Sequence, residues 1–145
     1  MEAQKDIHSI DNIELVFLKP EDYGEIKKAM IESYSNMPEA YWKEHHIKTL
    51  IEKFPEGQVG IKIDNELAGC AFSIIVDYSK FDEKHTYHEI TGGYTFSTHT
   101  PKGDKLYGID VFIRPKYRGL RLGRRLYDYR KELCEKLNLK GIVFG

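Results

Sequence analysis

From Leu106 to Gly145 the residues follow an order that narrows the choice of folds. An apolar run comes first, Leu106-Tyr107-Gly108-Ile109-Asp110-Val111-Phe112-Ile113. A basic loop with two glycines follows, Tyr117-Arg118-Gly119-Leu120-Arg121-Leu122-Gly123-Arg124-Arg125. Then Leu122, Leu126, Tyr129, Leu133 and Leu137 recur at three- and four-residue steps. A short run rich in β-branched and aromatic residues predicts a strand, and the later spacing predicts a helix. The order is therefore strand, glycine-containing loop, helix. A helix start carries unpaired N–H groups and a partial positive charge. A glycine-bearing turn in front of it lets backbone amides close on a phosphate. The stretch predicts an anion site for a phosphorylated ligand.

Two familiar phosphate loops do not fit. The NTPase loop needs G-x-x-x-x-G-K-S/T, but Gly119 and Gly123 are followed by Arg124-Arg125. The dinucleotide pattern G-x-G-x-x-G is absent as well. The stretch instead resembles the acetyl-CoA loop of the GNAT acyltransferase superfamily, Q/R-x-x-G-x-G/A, between a strand and a helix. Arg118 stands at the first position and Gly123 at the last, with Arg121 where the middle glycine is usual. The preceding Ile113-Arg114-Pro115-Lys116-Tyr117-Arg118-Gly119 resembles that family's V-x-P-x-Y-R-G. The side chain of Arg121 restricts how closely the backbone approaches a pyrophosphate, although its amide can still donate.

A chain of 145 residues is long enough for one domain with its own core. With 41% hydrophobic and 31% charged residues it reads as soluble and globular. The net charge of −1 argues against nucleic acid as the partner. Between Arg114 and Lys131 there are eight basic residues and one acid, Asp128, leaving 14 basic against 22 acidic residues elsewhere. Basic charge is thus gathered at the expected anion site. A basic-helix nucleic-acid binder is the weakest reading, because few aromatics interleave with those bases. Arg124, Arg125 and Arg130 are either a solvated helix face or phosphate donors. Cys70 and Cys134 are expected as free, buried thiols of a cytoplasmic protein. No apolar run reaches membrane-spanning length, so no membrane partner is expected.

Residues 1–12 are expected to be a polar arm and 13–145 the domain. Ile13–Leu18 predicts the first strand. Pro20-Glu21-Asp22 predicts a helix start, with Tyr23, Ile26, Met30 and Tyr34 as its stripe. A second helix is expected from Glu39 to about Phe54, stopped by Pro55-Glu56-Gly57. Gln58–Ile63 and Leu67–Tyr78 predict a hairpin around Asp64-Asn65-Glu66. Residues 79–104 are irregular and read as an insertion on the substrate side, with a short extended piece at Tyr94-Thr95-Phe96. Lys140-Gly141-Ile142-Val143-Phe144 predicts a last strand.

This order is similar to the GNAT fold from Ile13 onward. The resemblance implies a three-layer α/β/α domain with a mixed sheet, whose strand–helix–helix–strand–strand–insertion–strand–helix–strand order stops at the fifth strand. In the family a further helix and two strands follow. Part of the domain is therefore expected beyond residue 145, with the exposed edge covered by a second copy as a homodimer. Leu120-Arg121-Leu122-Gly123-Arg124-Arg125-Leu126, with Lys131-Glu132-Leu133-Cys134, also resembles GNAT modules fused ahead of a carbon–nitrogen (nitrilase-type) hydrolase domain.

Strict alternation puts Leu106, Gly108, Asp110 and Phe112 on one strand face. Asp110 is an acid among apolar neighbours, and burial would raise its pKa toward that of a useful base. It is the candidate catalytic residue, with a structural carboxylate as the alternative. The resemblance implies acetyl-CoA, or another acyl-CoA, as cosubstrate and an amine acceptor, small or peptidic. It implies cofactor contacts from Val111, Phe112, Ile113, Arg118, Gly119, Leu120, Arg121, Leu122, Gly123 and Arg124. The Ile113 amide is the oxyanion donor it suggests. The tyrosine that protonates the thiolate in many members would lie on a helix after the last strand. The alternative function is a non-catalytic CoA-binding or sensory module attached to a hydrolase. His85-x-x-His88 with His99 is the arrangement closest to a metal set. Neither H-E-x-x-H nor a cysteine pair with zinc spacing accompanies it, so no metal is expected. Tyr78, Tyr87, Tyr94 and Phe96 either line an acceptor pocket or belong to the core.

Overall fold

The structure is a computed structural model that describes residues 12–34, 36–37 and 41–144. The expected N-terminal arm lies almost wholly outside them. Five strands form one sheet in the order β1-β2-β3-β4-β5. They are β1 (Ile13–Phe17), β2 (Val59–Ile63), β3 (Glu66–Val76), β4 (Lys105–Ile113) and β5 (Gly141–Phe144). The first four pair antiparallel in sequence order, and β5 joins β4 parallel. The β2–β3 turn places Asp64 and Asn65 in the left-handed region (φ 48° and 71°), which suits a two-residue hairpin.

Helices cover both faces. On one side lie α1 (Tyr23–Ser33), α2 (Glu44–Lys53) and the single turn α3 (Tyr87–Ile90). Ile26, Ala29 and Met30 of α1, with Ile47 and Leu50 of α2, meet Phe72, Ile74, Tyr107, Ile109 and Phe112 of the sheet. On the other side α4 (Leu122–Lys136) lays Leu122 and Leu126 on Val59, Ile61, Ile63 and Ala71. Its Leu133 and Cys134 pack with Phe54, Ile75 and Leu106. Residues three and four apart fall on one helix face, so each stripe finds a sheet surface to bury. A fully buried Leu or Ile of this kind contributes about 1.5–3 kcal/mol.

Three expectations are corrected. The second helix does not begin at Glu39: Tyr41, Trp42 and Lys43 are not helical, and α2 starts at Glu44. The Lys43 amide donates to His46 Nδ1 (3.0 Å), which fastens that start. The stretch at Tyr94–Phe96 is not extended. It is a run of turns with Gly92, Gly93, Tyr94 and Phe96 all at positive φ, stapled by the Phe96 amide to the Thr91 carbonyl (2.8 Å). The alternation along β4 also fails. Phe72 of β3 pairs with Asp110 and the next residue, Ser73, pairs with Gly108. Ile109 is thus an extra residue, a β-bulge. Before it, Leu106 and Gly108 face α4. After it, Asp110 and Phe112 face α1 together with Ile109.

Candidate active site

The bulge delivers Asp110 to the α1 side of the sheet, two residues beyond the last β4 position that pairs with β5 among the described residues. Among the described residues β5 pairs with β4 over Lys105–Gly108, and β4 runs on to Ile113. A cleft of about 230 Å³ opens there, lined by Gly108, Ile109, Asp110, Val111, Arg130 and Phe144.

Three donors hold the Asp110 carboxylate. Tyr34 Oη donates to Oδ1 (2.7 Å), the Val111 amide donates to the same oxygen (2.9 Å), and Trp42 Nε1 donates to Oδ2 (3.2 Å). Tyr34 comes from the residue after α1 and Trp42 from the segment before α2, so two helix ends converge on one carboxylate. Burial pushes the Asp110 pKa above the ordinary carboxylate range, and the bonds from Tyr34 and Trp42 restrain the rise. Burial, then the neighbouring Asp110 charge, pushes the Tyr34 hydroxyl well above its ordinary value, so it stays a proton donor to Asp110.

The Arg114 amide donates to Ala68 of β3 (2.8 Å). Amides alternate in direction along a strand, so those of Val111 and Ile113 turn away from β3, toward the open side. The Val111 amide is taken by the Asp110 carboxylate, which leaves Ile113 with the outward amide beyond it. On the carbonyl side, Tyr87 Oη donates to Ile109 (2.7 Å) and Ser33 Oγ to Ile113 (3.2 Å).

The loop from Arg118 carries the chain to α4. Gly119 has φ +91° and Arg121, the residue before the helix, has φ +59° with no side-chain cap. Arg121 therefore occupies a left-handed position that glycine takes without strain. A Cβ on Gly119 or Gly123 would meet no atom within 4 Å, so both glycines border open space. The first backbone bond of α4 is from Arg125 to the Arg121 carbonyl (3.2 Å), and the amides of Leu122, Gly123 and Arg124 precede it. Those amides, with the glycines beside them, fit an oxygen-rich phosphate ligand such as the pyrophosphate of CoA.

The basic cluster divides once folded. Arg114 is buried and pairs with Glu32 (2.7 Å) and Glu66 (3.3 Å), and Lys116 also pairs with Glu66 (2.9 Å). Arg124 reaches toward Asp128 of its own helix (3.7 Å). Arg130, read as part of a solvated or phosphate-facing helix surface, is instead buried beneath the cleft, where Nη2 donates to the carbonyls of Phe72 (2.8 Å) and Asp110 (3.0 Å). It clamps the two residues paired at the bulge.

Of the aromatic candidates, Phe96 is fully buried and Tyr87 packs beside it on Trp42, while Tyr94 is 40% exposed. Tyr78 lies apart, against His85. His99 accepts the Ile75 amide on Nδ1 (3.0 Å) and stacks on Phe54. His88 packs on Tyr94, so the three histidines serve different neighbours. Among the described residues no three His, Cys, Asp or Glu side chains are grouped to hold a metal ion. Sequence reasoning missed Trp42, misplaced Arg130 on a solvated or phosphate-facing surface, and gave Tyr34 only a packing role. The one available signal was that the chain's single tryptophan falls near a break between helices.

The acetyltransferase (GNAT) family model matches residues 26–144, and the chain belongs to that family. Two curated relatives come from Bacillus subtilis strain 168. Over 104 residues, 72% of this chain, it is 39% identical to the probable hydrolase YhcX and covers 20% of that protein. Over 107 residues, 74% of this chain, it is 29% identical to the uncharacterized N-acetyltransferase YkwB and covers 47% of it. The chain thus spans a fifth of one relative and about half of the other. Among solved structures, the loading GNATL domain of CurA from Lyngbya majuscula superposes with a TM-score of 0.71 at 21% identity, covering 86% of this chain and 59% of that one. The GphF GNAT-like decarboxylase in complex with isobutyryl-CoA gives 0.63 at 12% identity, covering 80% and 56%. The fold is the GNAT α/β fold with a five-stranded mixed sheet.

Proposed function

We propose that this chain binds an acyl-CoA, acetyl-CoA in the simplest case, and transfers the acyl group to an amine, with Asp110 as the proton acceptor. The observation that carries the reading is the placement of Asp110. It is held by Tyr34 and Trp42 at the open side of β4, one loop away from the uncapped amides that begin α4. In this reading the pyrophosphate rests on the amides from Gly119 to Arg124, flanked by Arg118. The pantetheine arm follows Val111, Phe112 and Ile113 along β4.

Acyl transfer forms a C–N bond and breaks a C–S bond. The incoming ammonium gives one proton to Asp110 before the neutral amine attacks, and a carboxylate with a raised pKa holds that proton better than an ordinary one. The carbonyl oxygen gains negative charge as the amine adds, and the outward Ile113 amide supplies a fixed donor for it. The electrons of the broken C–S bond leave with the CoA sulfur, which takes up the second proton that the nitrogen sheds, so that CoA departs as the thiol. The acceptor approaches from the side of Trp42, Tyr87 and Tyr94. Calorimetry with CoA and acetyl-CoA tests the binding half, and thiol release with a panel of amines tests the chemistry. Absence of CoA affinity would sink the reading.

A second reading has its own observation. The chain matches only 20% of a relative described as a probable hydrolase. It would then be a CoA-binding module joined to a carbon–nitrogen hydrolase domain, binding without turnover. CoA affinity with no thiol release for any amine would favour it. In both readings the protein works in the cytoplasm, which suits two buried cysteines without a disulfide.

A further inference from the structure

Arg130 is 3% exposed, and the clamp on Phe72 and Asp110 uses only its Nη2. The rest of the guanidinium is unspent. Nε is buried with no hydrogen-bond partner among the described residues. Nη1 lies over Gly108, where an added Cβ would be 3.0 Å from it and from Phe144 Cδ1, so glycine is what lets the guanidinium sit there among the residues lining the cleft. The Phe144 ring closes the far side, 5.8 Å from the guanidinium carbon. No carboxylate of the described residues makes an ion pair with Arg130. The nearby acid, Asp110, lends Arg130 its charge through space, but its oxygens accept from Tyr34, Trp42 and Val111. Burial lowers the Arg130 pKa to about 10, and the group remains a cation at neutral pH.

A buried cation with spare donors is costly until an anion or strong acceptor meets it. A bulge clamp needs only the two carbonyl bonds, and an uncharged amide donor could make them. An acetyl group brings no charge into this cleft. A short dicarboxylic acyl group brings a carboxylate, the partner that a guanidinium binds best. We infer that the acyl donor of this protein carries a terminal carboxylate, and that Arg130 receives it through Nη1 at the floor of the cleft between β4 and β5. The inference rests on the acyl-CoA reading above and adds the class of acyl group.

Calorimetry of the chain with CoA, acetyl-CoA and malonyl-CoA tests it. Malonyl-CoA is expected to bind at least about tenfold more tightly than acetyl-CoA, the gain of one charge-assisted contact. Arg130→Gln should remove that difference by weakening malonyl-CoA alone, and Arg130→Lys should keep part of it. A purely structural clamp would weaken both thioesters alike and leave their ratio unchanged. Should Arg130→Gln fail to fold, the wild-type ratio decides. Equal affinities in the wild-type protein overturn this inference alone. Binding of none of the three ligands overturns it together with the acyl-CoA reading.

Discussion

In the proposed mechanism Asp110 is the proton acceptor, and three donors and an apolar surround act on its charge in opposite directions. Desolvation favours the protonated acid, while the bonds from Tyr34 and Trp42 favour the carboxylate. As a base it works only when deprotonated, so kcat/KM should rise with pH through a pKa above the ordinary carboxylate range. Asp110→Asn should lower kcat by about 10²–10⁴ and abolish that rise, with CoA affinity nearly unchanged. An unaltered pH–rate profile would remove Asp110 from the mechanism. Tyr34→Phe deletes a donor to the charged form, so the acid limb should move to higher pH; a shift to lower pH would contradict the assignment. Asp110 itself was legible in the sequence as an acid inside an apolar strand. Its partners were not, because Tyr34 and Trp42 are 76 and 68 residues away along the chain. No local pattern marks a contact of that range.

At the scale of the element, α4 and the loop before it join the fold to the proposed ligand. A Cβ at Gly123 meets nothing within 4 Å, and its φ is not left-handed. Gly123→Val should therefore change stability by no more than about 0.5 kcal/mol. It should nonetheless abolish CoA binding by putting a branched side chain over the amides. A thermal melt beside a titration checks both halves, and retained binding would move the phosphate elsewhere. Arg121 offers the opposite trade. Its left-handed φ costs about 1–2 kcal/mol, partly offset by glycine's larger entropy loss, so Arg121→Gly should stabilise the fold by roughly 0.5–1 kcal/mol. The strand, loop and helix here could be read from spacing alone, since β-branched runs, glycines and a leucine stripe each act locally. The bulge at Ile109 could not. One inserted residue reverses every side chain beyond it, and only the pairing of Phe72 and Ser73 with β4 reveals it. Arg130 was misplaced for a related reason. Helical spacing sets it one turn from Leu126 and Leu133, on the buried stripe, but its charge suggests solvent.

Across the whole molecule, a charge network centred on the buried Arg114 ties α1, β3 and the far end of β4 into one body. Arg114 is fixed by Glu32 of α1, by Glu66 at the start of β3 and by the Leu67 carbonyl (3.1 Å). Lys116 and the Tyr117 hydroxyl converge on the same Glu66. These residues precede the loop directly, so the network sets where Gly119 and α4 begin. Its acids lie far from its bases in sequence, so nothing in the local spacing marks Arg114 and Lys116 as partly neutralised. Removing the cation leaves Glu32 without this partner, while Glu66 keeps Lys116 and Tyr117, and both carboxylates are about one-third exposed. Arg114→Met should therefore cost about 2 kcal/mol, less than a fully buried pair because solvent screens the acids. That corresponds to a fall in Tm of roughly 4–8 °C for a domain of this size. The pH dependence gives a second, independent mark. Burial alone would raise the Glu66 pKa, but the bonds from Tyr117 and Lys116 and the charge of Arg114 outweigh it and hold the pKa below its ordinary value. A carboxylate depressed in the folded state stabilises fully above the ordinary glutamate range, and that contribution is lost as pH falls through the lowered value. Wild-type Tm should thus drop on the acid side, and the Arg114→Met curve should be flatter there, because less of the Glu66 shift survives. Parallel curves would mean that Arg114 contributes by packing its stem and by bonding Leu67 rather than by its charge.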